Sequence, residues 1–205
     1  MYTIVKNLGL TSYQDTWEKM KNHVANNPIN DEIWITEHPP IFTTGLNKKD
    51  VQIPKTDIPH LFVDRGGKIT YHGPGQLIIY LLINLLKNNL SIHQLVNIIE
   101  LSISELLLMK GIVTNSKKEA PGVYVLEKKI ASIGLRVKNH YTYHGLSLNV
   151  NMDLSPFNSI SPCGFSNLKM TQVSEHNKDY NMAEIITTLI NIIQFNLKVH
   201  YEQNH

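Results

Sequence analysis

The sequence predicts an α+β fold in which a mixed, largely antiparallel β-sheet is flanked by helices. Three observations predict it: three long helical segments with caps, an apolar run at 76–84, and closely spaced strands from 122 to 151. Strands that are grouped in this way, with a few long helices, are typical of α+β domains. We expect residues 1–205 to form one domain, because no linker rich in Pro, Gly or Ser divides them.

Each predicted helix begins at a pair of residues spaced as in a capping box. The pairs are Thr11 with Gln14, Ser91 with Gln94, and Asn181 with Glu184. The helices that follow them are residues 12–27, 92–111 and 182–201, with Gly111 as the C-terminal cap of the second.

Six strands are predicted from β-branched and aromatic runs. They are residues 32–38, 68–72, 76–84, 122–129, 130–139 and 141–151. The run at 76–84 is apolar on both faces, which predicts a central strand covered by helices. The last three strands are joined by short turns, which predicts an antiparallel meander.

Composition excludes several classes of protein. The net charge of +2 is too balanced to indicate nucleic-acid binding. The single cysteine cannot form an intramolecular disulfide, the N-terminus lacks the pattern of a signal peptide, and the longest apolar run (77–86) is half a membrane span. We therefore expect a cytoplasmic protein with neither nucleic acid nor membrane as a partner.

The segment "RGGKITYHGPGQ", residues 65–76, is rich in glycine. Glycine lets the backbone approach a ligand closely, although a tight hairpin at Gly66-Gly67 would need the same residues. The pair precedes a predicted strand, not a helix, and no Gly-Lys-Ser/Thr follows. Neither a dinucleotide fingerprint nor a Walker loop is present.

The segment "EKKIASIG" contains two adjacent lysines. Such a pair is usually a solvated turn, but on a strand Lys128 and Lys129 must point to opposite faces. One of them could point inward, beside the small residues Ala131, Ser132 and Gly134. A partly desolvated lysine is suited to proton transfer.

The segment "HGLSLN", residues 144–149, contains a strand glycine, Gly145, which indicates close approach of another backbone. His140 and His144 would lie about 13 Å apart on a strand, too far to share a metal ion. The sequence therefore predicts no metal site.

The only cysteine, Cys163, lies in "SPCGF". A free cysteine is more often a small buried hydrophobe than a nucleophile. Pro162 and Gly164 nevertheless predict a turn, where a core cysteine is less expected, and the glycine-rich segments offer it a site. We therefore interpret Cys163 as a candidate nucleophile.

Four segments together resemble the lipoyl/octanoyl transferases, the octanoyl-carrier-protein:protein octanoyltransferases of the biotin/lipoate protein ligase superfamily. They are "RGGKITYHGPGQL", "KKIASIGLRV", "HGLSLNVN" and "LSPFNSISPCG", and "EHPPIFTTG" at 37–45 is also similar. The segments follow the family's order and spacing from about Glu37 to Glu175. The resemblance implies the biotin/lipoate ligase catalytic-domain fold and an ATP-independent acyltransferase.

The resemblance also implies roles for individual residues. Cys163 would carry the octanoyl group as a thioester, and Lys129 would be its partner. The residues implied to line the substrate site are Arg65, Gly66, Gly67, Lys68, Ile69, Thr70, Tyr71, His72, Ser132, Ile133, Gly134, Gly145, Leu146 and Ser147.

The implied donor is octanoyl-acyl carrier protein, whose phosphopantetheine carries the acyl group, so no cofactor is expected. The implied acceptors are lipoyl domains of 2-oxoacid dehydrogenase complexes and the glycine cleavage H protein. Basic residues between 110 and 138 would steer such partners if these are acidic.

The implied thioester chemistry is consistent with a cysteine, Cys163, beside a lysine, Lys129. A free thiol with a pKa of about 8.5 is mostly protonated at neutral pH, and a neighbouring ammonium favours the reactive thiolate. Three alternatives remain open from the residues: an ATP-dependent lipoate or biotin ligase, a non-catalytic module that binds lipoyl domains, and a Cys–His enzyme with His72 or His144 as the base.

Overall fold

The computed structural model describes residues 3–117, 120–160 and 168–203. The strands are β1 (Thr3–Leu10), β2 (Asp31–Glu37), β3 (Ile41–Thr44), β4 (His60–Phe62), β5 (Ile69–His72), β6 (Gln76–Leu82), β7 (Asn115–Ser116), β8 (Gly122–Val125), β9 (Lys128–Lys138) and β10 (Tyr141–Asn149). The helices are α1 (Tyr13–Ala25), α2 (Ile92–Met109), α3 (Val173–His176) and α4 (Met182–Gln203), and a 3₁₀ helix spans Ser155–Ser159.

Two sheets form the framework. The larger has the strand order β1-β2-β6-β10-β9-β8-β7, and the smaller has the order β4-β3-β5. Only the pairs β1–β2 and β3–β4 are parallel among the described strands. The predicted mixed, largely antiparallel sheet is confirmed, as is the meander of β8, β9 and β10.

Strand β6 is the centre of the core. All its residues are buried, and it lies between β2 and β10. Ile79 and Leu81 point to the face covered by α2 and α4, whereas Ile78 and Tyr80 point to the face covered by α1. The prediction of a central strand apolar on both faces is confirmed.

Helix α2 is the one described helix whose length and hydropathy would suit a membrane span. Seven of its residues, from Leu95 to Leu107, are buried, and most of them pack in the core against the sheet and α4. This is the packing of a core helix in a soluble-type α+β fold.

The helix caps largely follow the sequence. Ser91 and Gln94 form the predicted capping box, and Gly111 lies just beyond α2 with φ +77°. Asn181 accepts a hydrogen bond from the Glu184 N–H at 3.0 Å.

At α1 the predicted pair was wrong by one residue, because the cap is Ser12, whose hydroxyl accepts from Asp15 N–H. The Thr11 hydroxyl instead bonds Thr36 and Thr16, at 2.6 and 2.9 Å.

The boundary predicted between residues 129 and 130 was wrong. The turn falls at Leu126 and Glu127, so Lys128 and Lys129 begin β9 and do not end β8. Leu126 adopts a φ of +54°. Leucine rarely adopts such a conformation, so nothing in the sequence indicated a turn at this position. Strand β1 was missed because it is an edge strand with a mostly exposed or half-exposed pattern, held by its backbone pairing to β2.

Candidate active site

A cavity opens on the face of the large sheet that α1 covers, between the sheet and the glycine-rich segment. All the residues that the sequence implied for the substrate site line it, except Tyr71, and Lys129 joins them. Those residues are Arg65, Gly66, Gly67, Lys68, Ile69, Thr70, His72, Ser132, Ile133, Gly134, Gly145, Leu146 and Ser147. Segments far apart in the sequence thus meet at one place.

Tyr71 departs from the expected set. Alternation along β5 turns its side chain away from Thr70 and His72, which line the cavity. Its buried ring packs against Phe42 and Phe157 in a separate small cluster. Tyr71 therefore belongs to the hydrophobic cluster on the other side of β5 and does not line the cavity.

Lys129 reaches the cavity because of a β-bulge. The pairing of β9 with β8 shifts so that Tyr124 faces Lys129 and Val123 faces Ala131, which leaves Ile130 as an extra residue. Ile130 and Ala131 both pack into the core. The bulge therefore places Lys129 on the same face as Ser132, whereas an uninterrupted strand would put it on the opposite face.

The Lys129 side chain is 1% exposed, whereas Lys128 is exposed. The Lys129 Nζ donates a hydrogen bond to the Pro121 carbonyl at 2.9 Å and lies 5.3 Å from the centre of the Tyr124 ring. The prediction that one of the two lysines points inward is confirmed. A buried ammonium that is held by a carbonyl and an aromatic face can interact strongly with a nearby anion.

Cys163 lies outside the described residues. The chain that follows it returns to Lys129: the Lys129 N–H donates to the Lys169 carbonyl at 2.9 Å, and the Thr171 N–H donates to the Lys129 carbonyl at 3.0 Å. Lys169 is six positions after Cys163 in the sequence. The backbone of the candidate base and the chain leading away from the candidate nucleophile are therefore joined.

The glycine-rich segment is hydrogen-bonded to both sheets. The Gly66 N–H donates to the Leu135 carbonyl of β9 at 3.0 Å. The buried Arg65 guanidinium donates to the Thr43 carbonyl at 2.7 Å and to its own neighbour's carbonyl, that of Gly66, at 2.8 Å. A side chain on Gly45 would meet the Gly67 oxygen at 2.5 Å, so the loop packs directly against a second backbone.

A polar cluster around Asp64 closes one side of the cavity. Its carboxylate accepts hydrogen bonds from Trp17 Nε1 at 2.7 Å and Tyr143 OH at 2.5 Å, and it lies 3.0 Å from His144 Nε2. Tyr143 and His144 are neighbours on β10, yet both reach Asp64, because His144 adopts a φ of +59°. Such a backbone conformation is costly for a residue other than glycine and persists only where its surroundings enforce it.

These contacts set the charge state of the cluster. Burial alone would raise the pKa of Asp64, but the hydrogen bonds from His144, Tyr143 and Trp17 hold it well below its usual range. Burial also lowers the pKa of His144, with Asp64 acting in the opposite direction. Burial raises the pKa of Tyr13, whose hydroxyl lies 3.4 Å from His144 Nδ1, to about 12.

His72 and His144 are both engaged through their two ring nitrogens. His72 Nδ1 lies 2.8 Å from Gln76 Oε1, and its Nε2 lies 3.4 Å from Thr43 Oγ1. Burial lowers the pKa of His72 well below its usual value. Both rings therefore serve as structural members of the cavity wall, which argues against either as the base of a Cys–His pair.

We expect the buried histidines to make the protein less stable in mild acid. Burial lowers the pKa of His38 to about 4 against a smaller opposing effect of the Thr11 carbonyl, so the unfolded chain binds protons first as the pH falls below about 6.5. The stability contribution of neutral His38 is therefore complete above about pH 7 and is lost towards about pH 4. The difference in the pKa of His38 between the folded and the unfolded protein would by itself lower the free energy of unfolding by about 2 kcal/mol from about pH 7 to about pH 5.

Urea unfolding of the His38→Gln variant at those two pH values would test this expectation. The difference between the two pH values should shrink relative to the unaltered protein, whereas the exposed His93→Gln control should leave it unchanged. An unchanged difference in His38→Gln would contradict the assignment.

Within residues 3–117, 120–160 and 168–203, no group of three or more His, Cys, Asp or Glu side chains is arranged to hold a metal ion. The sequence missed four residues that line the cavity: Tyr13, Ile78, Tyr80 and His144 as a wall residue. Tyr13 follows the cap of an amphipathic helix, and Ile78 and Tyr80 lie in a wholly buried strand. Their sequence pattern is that of core residues, so it carried no signal of a site.

Comparison with known proteins agrees with the family resemblance of the motif segments. The family model of the lipoyl protein ligase A/B catalytic domain matches residues 13–194. A protein of Chromobacterium violaceum named Octanoyltransferase is 46% identical over 193 residues, covering 93% of each chain. Another of that name from Buchnera aphidicola is 48% identical over 189 residues, covering 91% of this chain and 90% of its own.

Solved structures share the fold at low sequence identity. A lipoate-protein ligase A bound with ATP has a TM-score of 0.80 at 13% identity, covering 97% of this chain and 86% of its own. The biotin protein ligase from Aquifex aeolicus has a TM-score of 0.61 at 18% identity, covering 98% of this chain and 72% of its own. The fold class expected from the resemblance is confirmed, and the chain belongs to the lipoyl protein ligase A/B catalytic domain family.

Proposed function

We propose that this protein transfers an octanoyl group from octanoyl-acyl carrier protein to a specific lysine of lipoyl domains, through a thioester on Cys163. The observation that carries the proposal is Lys129, a buried lysine in the wall of a cavity lined by the other motif segments. The octanoyltransferase name of its relatives supports the same reaction. We take residues 1–205 as one catalytic domain acting in the cytoplasm.

The first step exchanges one thioester for another. The Cys163 thiolate attacks the carbonyl carbon of the octanoyl thioester, a new C–S bond forms, and the bond to the phosphopantetheine sulfur breaks. The departing phosphopantetheine thiolate takes a proton from the Lys129 ammonium, which leaves Lys129 neutral for the second step. Lys129 contributes as an ammonium that stabilises the Cys163 thiolate before the attack.

The second step makes the amide. The amine of the acceptor lysine attacks the carbonyl carbon of the Cys163 thioester, and the C–S bond to Cys163 breaks. The attacking nitrogen loses a proton, for which Lys129 in its neutral form is the proposed base. Backbone N–H groups near Cys163 and the glycine-rich segment would hold the developing oxyanion.

The cavity offers apolar contacts for an acyl chain. Ile69, Ile78, Ile133 and Leu146 contribute to its lining. Burial of about seven methylene-sized groups would supply up to about 5 kcal/mol of recognition. Three polar side chains, those of Tyr13, His72 and His144, line the same cavity and would limit how far the acyl chain could enter.

We propose that no nucleotide takes part. The donor is already a thioester, so exchange onto Cys163 is nearly neutral in free energy and formation of the amide is favourable. An ATP-dependent ligase is the alternative offered by the low-identity structural neighbours. It would need an adenylate and no cysteine nucleophile.

The carrier protein and the lipoyl domains are proposed as the partners. Of the basic residues between 110 and 138, Lys110 and Lys117 pair with Glu184 and Glu127, and Lys129 is buried. The exposed cations that remain there for steering an acidic partner, within the described residues, are Lys128, Arg136 and Lys138. Their contribution would appear as a fall in transfer rate with increasing salt.

Intact-mass spectrometry tests the central proposal. The protein mixed with octanoyl-acyl carrier protein, without ATP, should gain the mass of one octanoyl group. Added lipoyl domain should remove that mass and acquire it on a lysine. A protein that stays unmodified by the donor, yet acylates the lipoyl domain when free octanoate and ATP are supplied, would be a ligase instead. A protein that binds the lipoyl domain and does neither would be a binding module.

A further inference from the structure

A single peptide group, the one that joins Pro121 to Gly122, connects Lys129 to helix α2. Its carbonyl oxygen accepts a hydrogen bond from Lys129 Nζ at 2.9 Å. Its N–H donates to Glu100 Oε1 at 2.8 Å. The two ends of one rigid plane are therefore held by a cation on one side and a carboxylate on the other.

The peptide group fits closely around the lysine. Gly122 adopts a φ of +138°, and a side chain there would approach the Lys129 Cε to 2.7 Å and the Ala131 oxygen to 2.5 Å. Two residues before Gly122, the Ala120 carbonyl accepts a hydrogen bond from the Tyr124 hydroxyl at 2.8 Å. Tyr124 in turn presents its ring to Lys129 Nζ. The segment 120–122 thus packs against the lysine.

Glu100 is an acidic residue beside the apolar face of α2. It follows the fully buried Ile99 on a helix whose buried residues are apolar apart from Ser102, and it is only partly exposed. Its carboxylate accepts from the Gly122 N–H at the start of β8, the strand that pairs with β9. The other acidic residue of this helix, Glu105, contacts Asn196 of α4 at 3.2 Å instead. The two glutamates therefore differ in what they touch.

We propose that Glu100 is a positioning residue for the reaction, acting on Lys129 through the Pro121–Gly122 peptide group. This inference rests on the proposed function. A carboxylate that accepts from the N–H fixes the direction of the peptide plane and increases the polarity of its carbonyl. The carbonyl then holds Lys129 Nζ at one point of the cavity wall, where a thiolate or an incoming amine can meet it.

The consequence is specific. Without the Glu100 carboxylate the peptide plane can turn, so Lys129 loses a fixed acceptor and spends less time in its working position. Reactions require a catalytic group to be placed to within about 0.5 Å. We expect Glu100→Ala to slow the acylation of Cys163 about tenfold, because it removes one part-buried hydrogen bond to a charged group.

Two conservative variants distinguish the length of the Glu100 side chain from its negative charge. Glu100→Gln keeps an oxygen at the same distance and should stay within about twofold of the unaltered rate. Glu100→Asp keeps the charge but withdraws the carboxylate by one methylene, and it should show most of the loss seen in the alanine variant. Glu105→Ala, from the same helix, is the matched control and should acylate normally.

The test is single-turnover acylation by octanoyl-acyl carrier protein, followed by intact mass, together with the pH dependence of Cys163 alkylation by iodoacetamide. In Glu100→Ala and Glu100→Asp the midpoint of alkylation should move towards that of Lys129→Ala. In a Lys129→Ala background, Glu100→Ala should cost nothing further, because it acts only through the lysine. A merely structural role of Glu100 would not produce this dependence on Lys129.

The inference is overturned if the alanine and aspartate variants acylate like Glu105→Ala. It is equally overturned if Glu100→Ala costs the same tenfold when Lys129 is absent, or if Glu100→Gln is as slow as Glu100→Ala. Should the alanine variant not fold, the aspartate and glutamine variants decide the question by themselves. Failure of the proposed function is a separate outcome, because then the unaltered protein gains no octanoyl mass.

Discussion

Replacing Cys163 by serine is expected to reduce octanoyl transfer by about a thousandfold or more. The reaction depends on a sulfur that ionises near neutral pH and forms a thioester of similar energy to the donor. A serine hydroxyl does not ionise under those conditions, so a single ammonium cannot activate it. The variant should gain no octanoyl mass from the carrier protein within the time in which the unaltered protein is fully labelled.

This experiment also separates the two activities found on this fold. An ATP-dependent ligase forms an adenylate and would tolerate the exchange of sulfur for oxygen. Retention of near-normal transfer by Cys163→Ser would therefore exclude the thioester route. Thermal unfolding of the variant gives the control, because an unchanged midpoint would show that the loss of transfer is not a loss of the fold.

Replacing Lys129 by alanine is expected to lower the rate of transfer about a hundredfold or more. General acid–base groups typically contribute about 10² to 10⁴ in rate, and Lys129 is proposed to act in both steps. It is buried in the cavity wall and held at its tip by the Pro121 carbonyl. Both half-reactions should slow, which can be followed separately as loading of Cys163 and as transfer to the lipoyl domain.

The chain supplies a close control for this variant. Lys128 is the preceding residue, carries the same charge, and is exposed on the other face of β9. Lys128→Ala should transfer at a rate within about twofold of the unaltered protein at moderate salt. If Lys129→Ala kept a near-normal rate while His72→Ala lost it, the base would be a histidine. The geometry weighs against that result, because both ring nitrogens of His72 already have partners.

Several elements could be predicted because their signals are local. The capping box at Ser91, the apolar run of β6 and the turn between β9 and β10 each depend on residues close together in the sequence. The glycine-rich segment also carries a local signal, because its glycines indicated either close approach to a ligand or a tight hairpin. Errors occurred where tertiary contacts outweighed local preference, as at Thr11, whose hydroxyl is engaged by Thr36.

The candidate site was predicted only in part. The motif segments indicated most of the lining, but Tyr71 was included because it lies within a motif, and its side chain faces away. Tyr13, Ile78 and Tyr80 were missed because apolar and aromatic residues in regular elements look the same whether they line a cavity or fill a core. Glu100 was missed because it lies on α2, whose sequence has the apolar spacing of a core helix.

The amino-acid sequence was enough to predict the class of fold, the central strand, and the residue types available for chemistry: one thiol, two adjacent lysines and several glycines. Which of the two lysines points inward depends on strand pairing, because one extra residue in β9 reverses the face on which Lys129 lies. The tertiary structure also decided what holds the lysine, since Glu100 and the Pro121–Gly122 peptide meet only after α2 packs beside β8. Local patterns specify strands and helices, whereas register and packing set the positions of the reacting groups.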